Sequence, residues 1–191
     1  MSTAGVDEAG RGPLAGPVVC AAVILPPDDG LIGLDDSKKL GEGRREQLFD
    51  AIIAIAESHC IRFIDAATID RMNILQATLH GMRLAVQGLS PAPELVLIDG
   101  NRLPADLPCP ARALIGGDGL ERCIMAASVL AKVSRDRYLR ELDTRYPAYG
   151  FARHKGYPTA EHLAALLRHG PCPEHRRSYG PVQQASLFSP G

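Results

Sequence analysis

No stretch of eighteen or more apolar residues occurs in this 191-residue chain, so a membrane-spanning helix is not expected. The opening residues, MSTAGVDEAG, contain neither a basic nor an apolar leader segment. Export is therefore not expected, and the cytoplasm is the expected compartment. The five cysteines, Cys20, Cys60, Cys109, Cys123 and Cys172, form no CxxC pair. That absence removes the common thiolate metal and redox motifs and leaves reduced cysteines acting as small apolar residues. Repeats and low-complexity tracts are also lacking. Hydrophobic residues make up 46% of the chain, which argues against disorder. Net charge is only −1, so no overall excess marks a polyanion binder. The charge is uneven, however. Residues 122–177 hold 11 Lys and Arg against 5 Asp and Glu, whereas the remainder holds 10 against 17. The pattern reads either as ordinary surface or as a basic face beside an acidic pocket.

The apolar patterning alternates between two periods. Residues 3–7, 16–25, 60–66, 94–100 and 111–117 read as strands, being apolar runs bounded by turn residues. Residues 45–57, 68–89, 120–147 and 159–170 carry apolar positions at helical spacing. Thr68 and Thr159 are candidate N-caps, and Pro147 and Gly170 are stop signals. Residues 26–40 read as a loop. The order predicts an α/β protein: a mixed sheet covered by helices, antiparallel early and parallel later, followed by a helical C-terminal segment.

Three predicted strands end in acids: Asp7-Glu8, Asp99 and Asp118. Each acid alone reads as a turn residue capping a strand. Together they suggest a site at the carboxyl ends of strands. Carboxylates brought that close raise one another's pKa unless a cation compensates. Hard oxygen ligands without His or Cys point to Mg²⁺ or Mn²⁺. Two such ions ~4 Å apart are suited to phosphodiester cleavage. Directly after the first pair comes Gly10-Arg11-Gly12. The motif reads as a tight turn, or as a turn whose missing Cβ atoms let backbone approach a ligand. Backbone N–H and C=O groups at such a turn suit a 2′-hydroxyl, the group that separates RNA from DNA.

The blocks "GVDEAGRGPLAGPVV", "DDSKKL", "NILQAT", "LIDGNR", "GGD" with "AASVLAKVSRDR", and "HKGYPT" follow one another along the chain. In this order they resemble the signature blocks of bacterial ribonuclease HII, the type 2 ribonuclease H family, from about Gly5 to about Tyr179. The first block begins directly at the start of the sequence, so the extra N-terminal domain of the related ribonuclease HIII type is not expected. The resemblance implies a ribonuclease H-like fold with a five-stranded mixed sheet flanked by helices, plus a C-terminal helical segment. It implies cleavage of the RNA strand of RNA–DNA hybrids. It also implies incision 5′ of single ribonucleotides in duplex DNA, leaving a 3′-OH and a 5′-phosphate. Asp7, Glu8, Asp99 and Asp118 fall on the family's metal-binding acids, with two divalent ions per site. Gly10, Arg11 and Gly12 fall on its ribonucleotide-sensing turn, and Tyr157 on the tyrosine that packs at the next sugar. After the last acid the chain departs from the pattern and reads "GDGLERCIMAAS". Members more often carry a small or polar residue with Lys or Ser there, and a third alanine before the serine. The departure bears on local phosphate contacts rather than on the metal ligands.

Lys38, Lys39, Lys132 and Arg135 are candidate phosphate contacts, the last two sharing a helix face. Each reads equally as a solvated charge. Asn73 and Ser128 are candidate substrate contacts or satisfied buried polar groups. His154 reads as a surface histidine or as a group near the scissile phosphate. Residues 1–178 are expected to form one catalytic domain, and 179–191 a polar tail. Its "QASLF", Gln184–Phe188, resembles peptides that bind the bacterial sliding clamp. Leu187 and Phe188 either dock on such a partner or fold back on the domain. A monomer is expected. Two other readings remain at this point: a junction-resolving nuclease of the same fold, and a non-catalytic hybrid-binding protein.

Overall fold

Val18–Ile24 (VVCAAVI) forms strand β2, and every residue in it is buried. The reason is that helices cover both faces of the sheet. Val19, Ala21 and Val23 pack with residues of α4 (Arg122–Arg145) and α1 (Glu42–Ile55). Cys20, Ala22 and Ile24 face the other way, onto Met82, Ala85 and Val86 of α3 (Ile74–Gln87). The alternation follows from the two-residue period of a strand.

The computed structural model describes residues 1–188, with side chains to Leu187. Its five strands are β1 (Thr3–Ala9), β2, β3 (Ser58–Ile64), β4 (Leu95–Asp99) and β5 (Ala111–Leu114). They lie in the order β3-β2-β1-β4-β5. The pairs β1–β2 and β2–β3 are antiparallel, and β1–β4 and β4–β5 parallel. This is the mixed sheet expected from the sequence. Its consequence is that β1, β4 and β5 run the same way and end at one edge. No helix among the described residues is long and apolar enough to cross a membrane.

Two elements differ from the sequence expectation. The helical pattern over 68–89 is two helices, α2 (Ala66–Met72) and α3. They break at Asn73 (φ 68°, ψ 162°). Asn tolerates positive φ, and its side chain can cap, so it interrupts a helix without Pro or Gly. Its Oδ1 accepts from the Gln76 N–H at 3.1 Å. The cap of α2 is Asp65, which accepts from the Thr68 N–H, rather than Thr68 itself. Second, the stretch expected to be a polar tail contains helix α7 (Gly180–Phe188). Val182 and Ala185 are buried with Leu14 and with Leu166 of α6 (Ala160–His169). Two small apolar residues three apart give that short helix a face to bury. Leu187 does not fold back: it is 81% exposed. The side chain of Phe188 lies outside the described residues.

Helix α4 is pressed onto β1 at Gly5. A Cβ there would lie 2.1 Å from the carbonyl carbon of Cys123. Backbone cannot yield at that distance, so any side chain lifts α4 from the sheet. Gly5→Ala is expected to destabilise the fold by about 3 kcal/mol or more, at the upper end of overpacking costs. Urea unfolding of the two proteins measures this.

Candidate active site

Asp7 and Asp99 stand at the parallel ends of β1 and β4, one step beyond the Val6–Ile98 pair. Both share a sheet face with Gly5 and Leu97, by the strand period. Asp118 arrives from the third parallel strand through a short 3-10 turn, Gly117–Gly119. Its N–H donates to Asp99 Oδ1 at 3.3 Å. One carboxylate oxygen from each of Asp7, Asp99 and Asp118 lies within 4.8 Å of the others. Glu8, the next residue along β1, is turned toward the opposite face. It lines the cleft of Asp7 and Asp99 and also an adjoining one with Thr78, Asn101 and Arg102, and its Oε1 pairs with Arg11 at 3.7 Å.

The cluster carries uncompensated negative charge. Burial first, and then Glu8 and Asp99, push the Asp7 carboxyl well above its ordinary range. Burial likewise raises Glu8. Burial and the Asp118 carboxylate raise Asp99. Local compensation is partial. Lys38 Nζ donates to Asp118 Oδ2 at 2.9 Å, and that bond raises the Lys38 pKa. Ser128 hydrogen-bonds Asp7 and lies 2.8 Å from the hydroxyl of Ser37. Three hard oxygen donors in a cation-sized space, with charge left over and no imidazole or thiolate among them, fit a divalent ion such as Mg²⁺ or Mn²⁺.

Beyond Ala9 the chain turns through Gly10-Arg11-Gly12, and two buried arginines hold the loop from there to Pro17. Arg135 on α4 donates from Nε to Pro17, from Nη1 to Lys155 and from Nη2 to Ala15, all backbone carbonyls at 2.9–3.0 Å. Arg176 donates to the carbonyls of Gly10 (2.6 Å), Arg11 (2.9 Å) and Gly16 (3.0 Å). The Tyr179 hydroxyl donates to the Arg11 carbonyl as well, at 2.7 Å. Gly10 is obligatory here: its φ is +96°, and a Cβ would meet Arg135 Nε at 1.9 Å. The carbonyls of Gly10 and Arg11 are thus engaged by protein. The N–H groups of Arg11 and Gly12 donate to nothing among the described residues. What the turn offers a ligand is donors.

Asp7, Glu8, Asp99 and the turn open into one cleft of about 230 Å³, which Lys38, Ser128, Lys132 and Tyr157 also line. The Tyr157 ring lies over Gly12, 3.5 Å from where a Cβ would sit. Other sequence candidates are not free contacts in it, although Arg135 borders the cleft. Arg135 is not a free phosphate contact, because burial and its three carbonyl partners fix it inside the protein. Burial and the nearby Arg176 lower its pKa to about 10. Lys39 pairs with Asp35 at 3.2 Å and Asn73 caps α3; neither lines the cleft. His154 is buried rather than superficial. Nor is the basic stretch 122–177 a free basic face. Arg137 and Arg140 pair with Glu46, Arg145 with Glu174, and Arg153 with Glu161. Ser37, Arg176 and Tyr179 escaped the sequence reading. Ser37 sat inside the quoted "DDSKKL", whereas Arg176 and Tyr179 carried no signal beyond charge and ring.

A parallel trio of strands that delivers three carboxylates to one cation-sized space defines a divalent-metal-dependent nuclease of the ribonuclease H-like fold. The comparisons narrow the class. The chain belongs to the ribonuclease HII family, whose model, described as Ribonuclease HII, matches residues 4–181. It is 60% identical over 183 residues to a ribonuclease HII of Xanthomonas axonopodis pv. citri, covering 95% of this chain and 75% of that one. The crystal structure of ribonuclease H2 from Pyrococcus horikoshii superposes with a TM-score of 0.81 at 28% identity, covering 98% of each chain. The RNase HII of Archaeoglobus fulgidus, solved as a PCNA:RNase HII complex, gives 0.68 at 26% identity, covering 88% of this chain and 87% of that one. The chain is a metal-dependent ribonuclease H enzyme.

Because burial and neighbouring acids raise the Asp7 carboxyl, its charge destabilises the metal-free fold. The folded protein holds that proton more tightly than the unfolded chain, so the penalty is full above the raised range. It fades as pH falls through the raised range and is gone below the ordinary carboxylate range. In chelator, Asp7→Asn is expected to be more stable than wild type by about 1 kcal/mol or more at pH 7.5, since each pK unit is worth about 1.4 kcal/mol. The difference should shrink toward pH 4. Added Mn²⁺ should stabilise wild type more than the variant. Chemical denaturation across pH, with and without the ion, checks all three.

Proposed function

We propose that this ribonuclease cleaves the RNA strand of RNA–DNA hybrids and incises 5′ of single ribonucleotides in duplex DNA, leaving a 3′-OH and a 5′-phosphate. The observation that carries the reading is adjacency. Asp7, Glu8 and Asp99 line one cleft with a turn of unpaired N–H donors and with Tyr157, and Asp118 stands against Asp7 and Asp99. Recognition of a 2′-oxygen and attack on the neighbouring phosphate must occur within one nucleotide of each other.

Asp7, Asp99 and Asp118 hold divalent cations, with Glu8 as a further carboxylate from the other sheet face. When bound, a pair of Mg²⁺ or Mn²⁺ ions supplies an activated water and stabilises the leaving 3′ oxygen. The protein's own part is orientation. The N–H groups of Arg11 and Gly12 donate to the 2′-oxygen, and Arg176 keeps the turn from collapsing onto its own carbonyls. The Tyr157 ring packs against the next sugar. Lys38 and Lys132 face phosphates from the cleft wall, and such contacts are blind to sequence and sensitive to salt. Lys39 and Asn73 reach only a longer duplex, outside the cleft.

We propose further that Gln184–Phe188 docks on a replication sliding clamp. Exposed Leu187 at the end of α7 supports this, as does the Archaeoglobus fulgidus relative solved with PCNA. Phe188→Ala is expected to weaken clamp binding at least tenfold in a direct titration, and undetectable binding by wild type would refute the idea.

For the activity, the decisive substrate is a DNA duplex with one ribonucleotide, incubated with Mg²⁺ or with chelator. Metal-dependent incision on the 5′ side is expected, and its absence would sink the reading. Cleavage of an all-DNA junction in its place would make the protein a junction nuclease. Asp7→Asn should retain duplex binding and lose at least about a thousandfold in turnover, a loss of roughly 4 kcal/mol of transition-state stabilisation.

A further inference from the structure

Three imidazoles lie packed together behind Tyr157. His154 ends helix α5 (Phe151–His154), His162 is in the first turn of α6, and His175 precedes Arg176. All three are buried. The rings of His154 and His162 stack at 4.4 Å with 12° between planes. His162 Nε2 and His175 Nε2 lie 3.0 Å apart. His162 Nδ1 is 2.9 Å from the Tyr157 carbonyl. The Cys172 N–H donates to His175 Nδ1 at 3.0 Å. His154 accepts from the Gly156 N–H on Nδ1 and reaches the Tyr149 carbonyl with Nε2 at 2.7 Å.

These partners determine every proton. A carbonyl only accepts, so His162 carries its proton on Nδ1 and His154 on Nε2. Neutral His162 therefore accepts on Nε2, and His175 is the donor across the 3.0 Å contact. His175 then accepts on Nδ1, which is where the Cys172 N–H arrives. All six ring nitrogens are satisfied with every ring neutral. Burial agrees: it pushes His162 down, and it lowers His175 to about 3. The chain of donors runs in one direction, from the Cys172 amide through two rings to the backbone of Tyr157. That carbonyl accepts from Thr159 N–H as well, at 2.8 Å, and the Tyr157 N–H donates to the His154 carbonyl at 2.9 Å.

We propose that His162 and His175 are positioning residues for substrate recognition: their neutral, one-way hydrogen-bond chain fixes the Tyr157 backbone and so holds its ring over Gly12 at the cleft. The proposal rests on the reading of Tyr157 as a substrate-facing residue. A buried pair that merely filled the core would require neither this tautomer order nor an end on Tyr157. Asn and Leu separate the two roles at position 162. Both remove the contact to His175. Asn Nδ2 falls near the imidazole Nδ1 and can donate to the Tyr157 carbonyl, whereas Leu, of similar size, cannot.

The test is steady-state kinetics on the single-ribonucleotide duplex. His162→Leu is expected to raise KM about fivefold with kcat within twofold, and His162→Asn, which keeps a donor for the Tyr157 carbonyl but loses His175, to raise KM by a smaller factor between wild type and His162→Leu. Tyr157→Ala is measured alongside, together with Tyr157→Ala/His162→Leu. The double variant should be no worse than Tyr157→Ala, because the relay acts through that ring. If Tyr157→Ala has no effect, the reading of Tyr157 fails. If Tyr157→Ala raises KM but His162→Leu does not, or the two effects multiply, the relay is overturned and the reading survives. A variant that does not fold leaves a measurement on wild type. Long-range ¹H–¹⁵N correlation of the imidazoles at pH 7 should show His162 protonated on Nδ1 and His175 on Nε2. Any other tautomer, or a charged ring, refutes the relay.

Discussion

Like charges resist being gathered in a buried place, and this structure gathers three at the end of its sheet. A lone carboxylate in a low-dielectric interior takes up a proton rather than stay charged. Asp7 lies 4% exposed beside Asp99. It is kept there by structure that cannot move. Its strand is paired on both sides, and α4 presses on that strand through Gly5 without a side chain between them. The parallel pairing then leaves no freedom over where Asp99 stands. The fold supplies the rigidity, and a divalent cation supplies the charge that makes the arrangement favourable.

A second strain is met with neutral partners. Arg135 and Arg176 are almost wholly buried, and no carboxylate pairs with either among the described residues. Each is satisfied by backbone carbonyls instead. This is costly chemistry for core filling, since an apolar side chain would serve as well. It is suited to shaping a turn, because a planar fork of donors fixes several carbonyls at once. The result is a loop from Gly10 to Pro17 in which the carbonyls of Gly10, Arg11, Ala15, Gly16 and Pro17 face inward and the N–H groups of Arg11 and Gly12 are left unpaired.

The sheet was legible in the sequence because its signal is local. A run such as VVCAAVI or LVLID shows its state within a few residues, and the acid at the end of LVLID marks the edge. The order of strands also allowed the antiparallel-then-parallel pairing to be read. What escaped has contacts distant in sequence. Arg135 repeats at helical spacing with Lys132, and nothing nearby tells that its partners are the carbonyls of Ala15 and Pro17. Asn73 sits in a pattern that continues apolar on both sides, and only its tolerance of positive φ betrays a break. Val182 and Ala185 look too sparse to bury until Leu14 and Leu166 are placed beside them. The expectation of an RNA-containing duplex as substrate rests on the family blocks, not on patterning.

The adjacency of Asp7-Glu8 to Gly10-Arg11-Gly12 follows from the same strand geometry. With a period of two, neighbouring residues leave a strand on opposite faces. Asp7 therefore joins Asp99 and Asp118 on the α4 side, and Glu8 meets Arg11 on the other. A one-residue slip in the register of β1 would exchange these two roles. The turn begins two residues beyond Glu8, as soon as β1 is released from its partners. Its donors then stand beside the carboxylate oxygens with no intervening element whose motion could separate them. Coupling the turn to the carboxylates through one continuous strand end makes their spacing a property of the backbone.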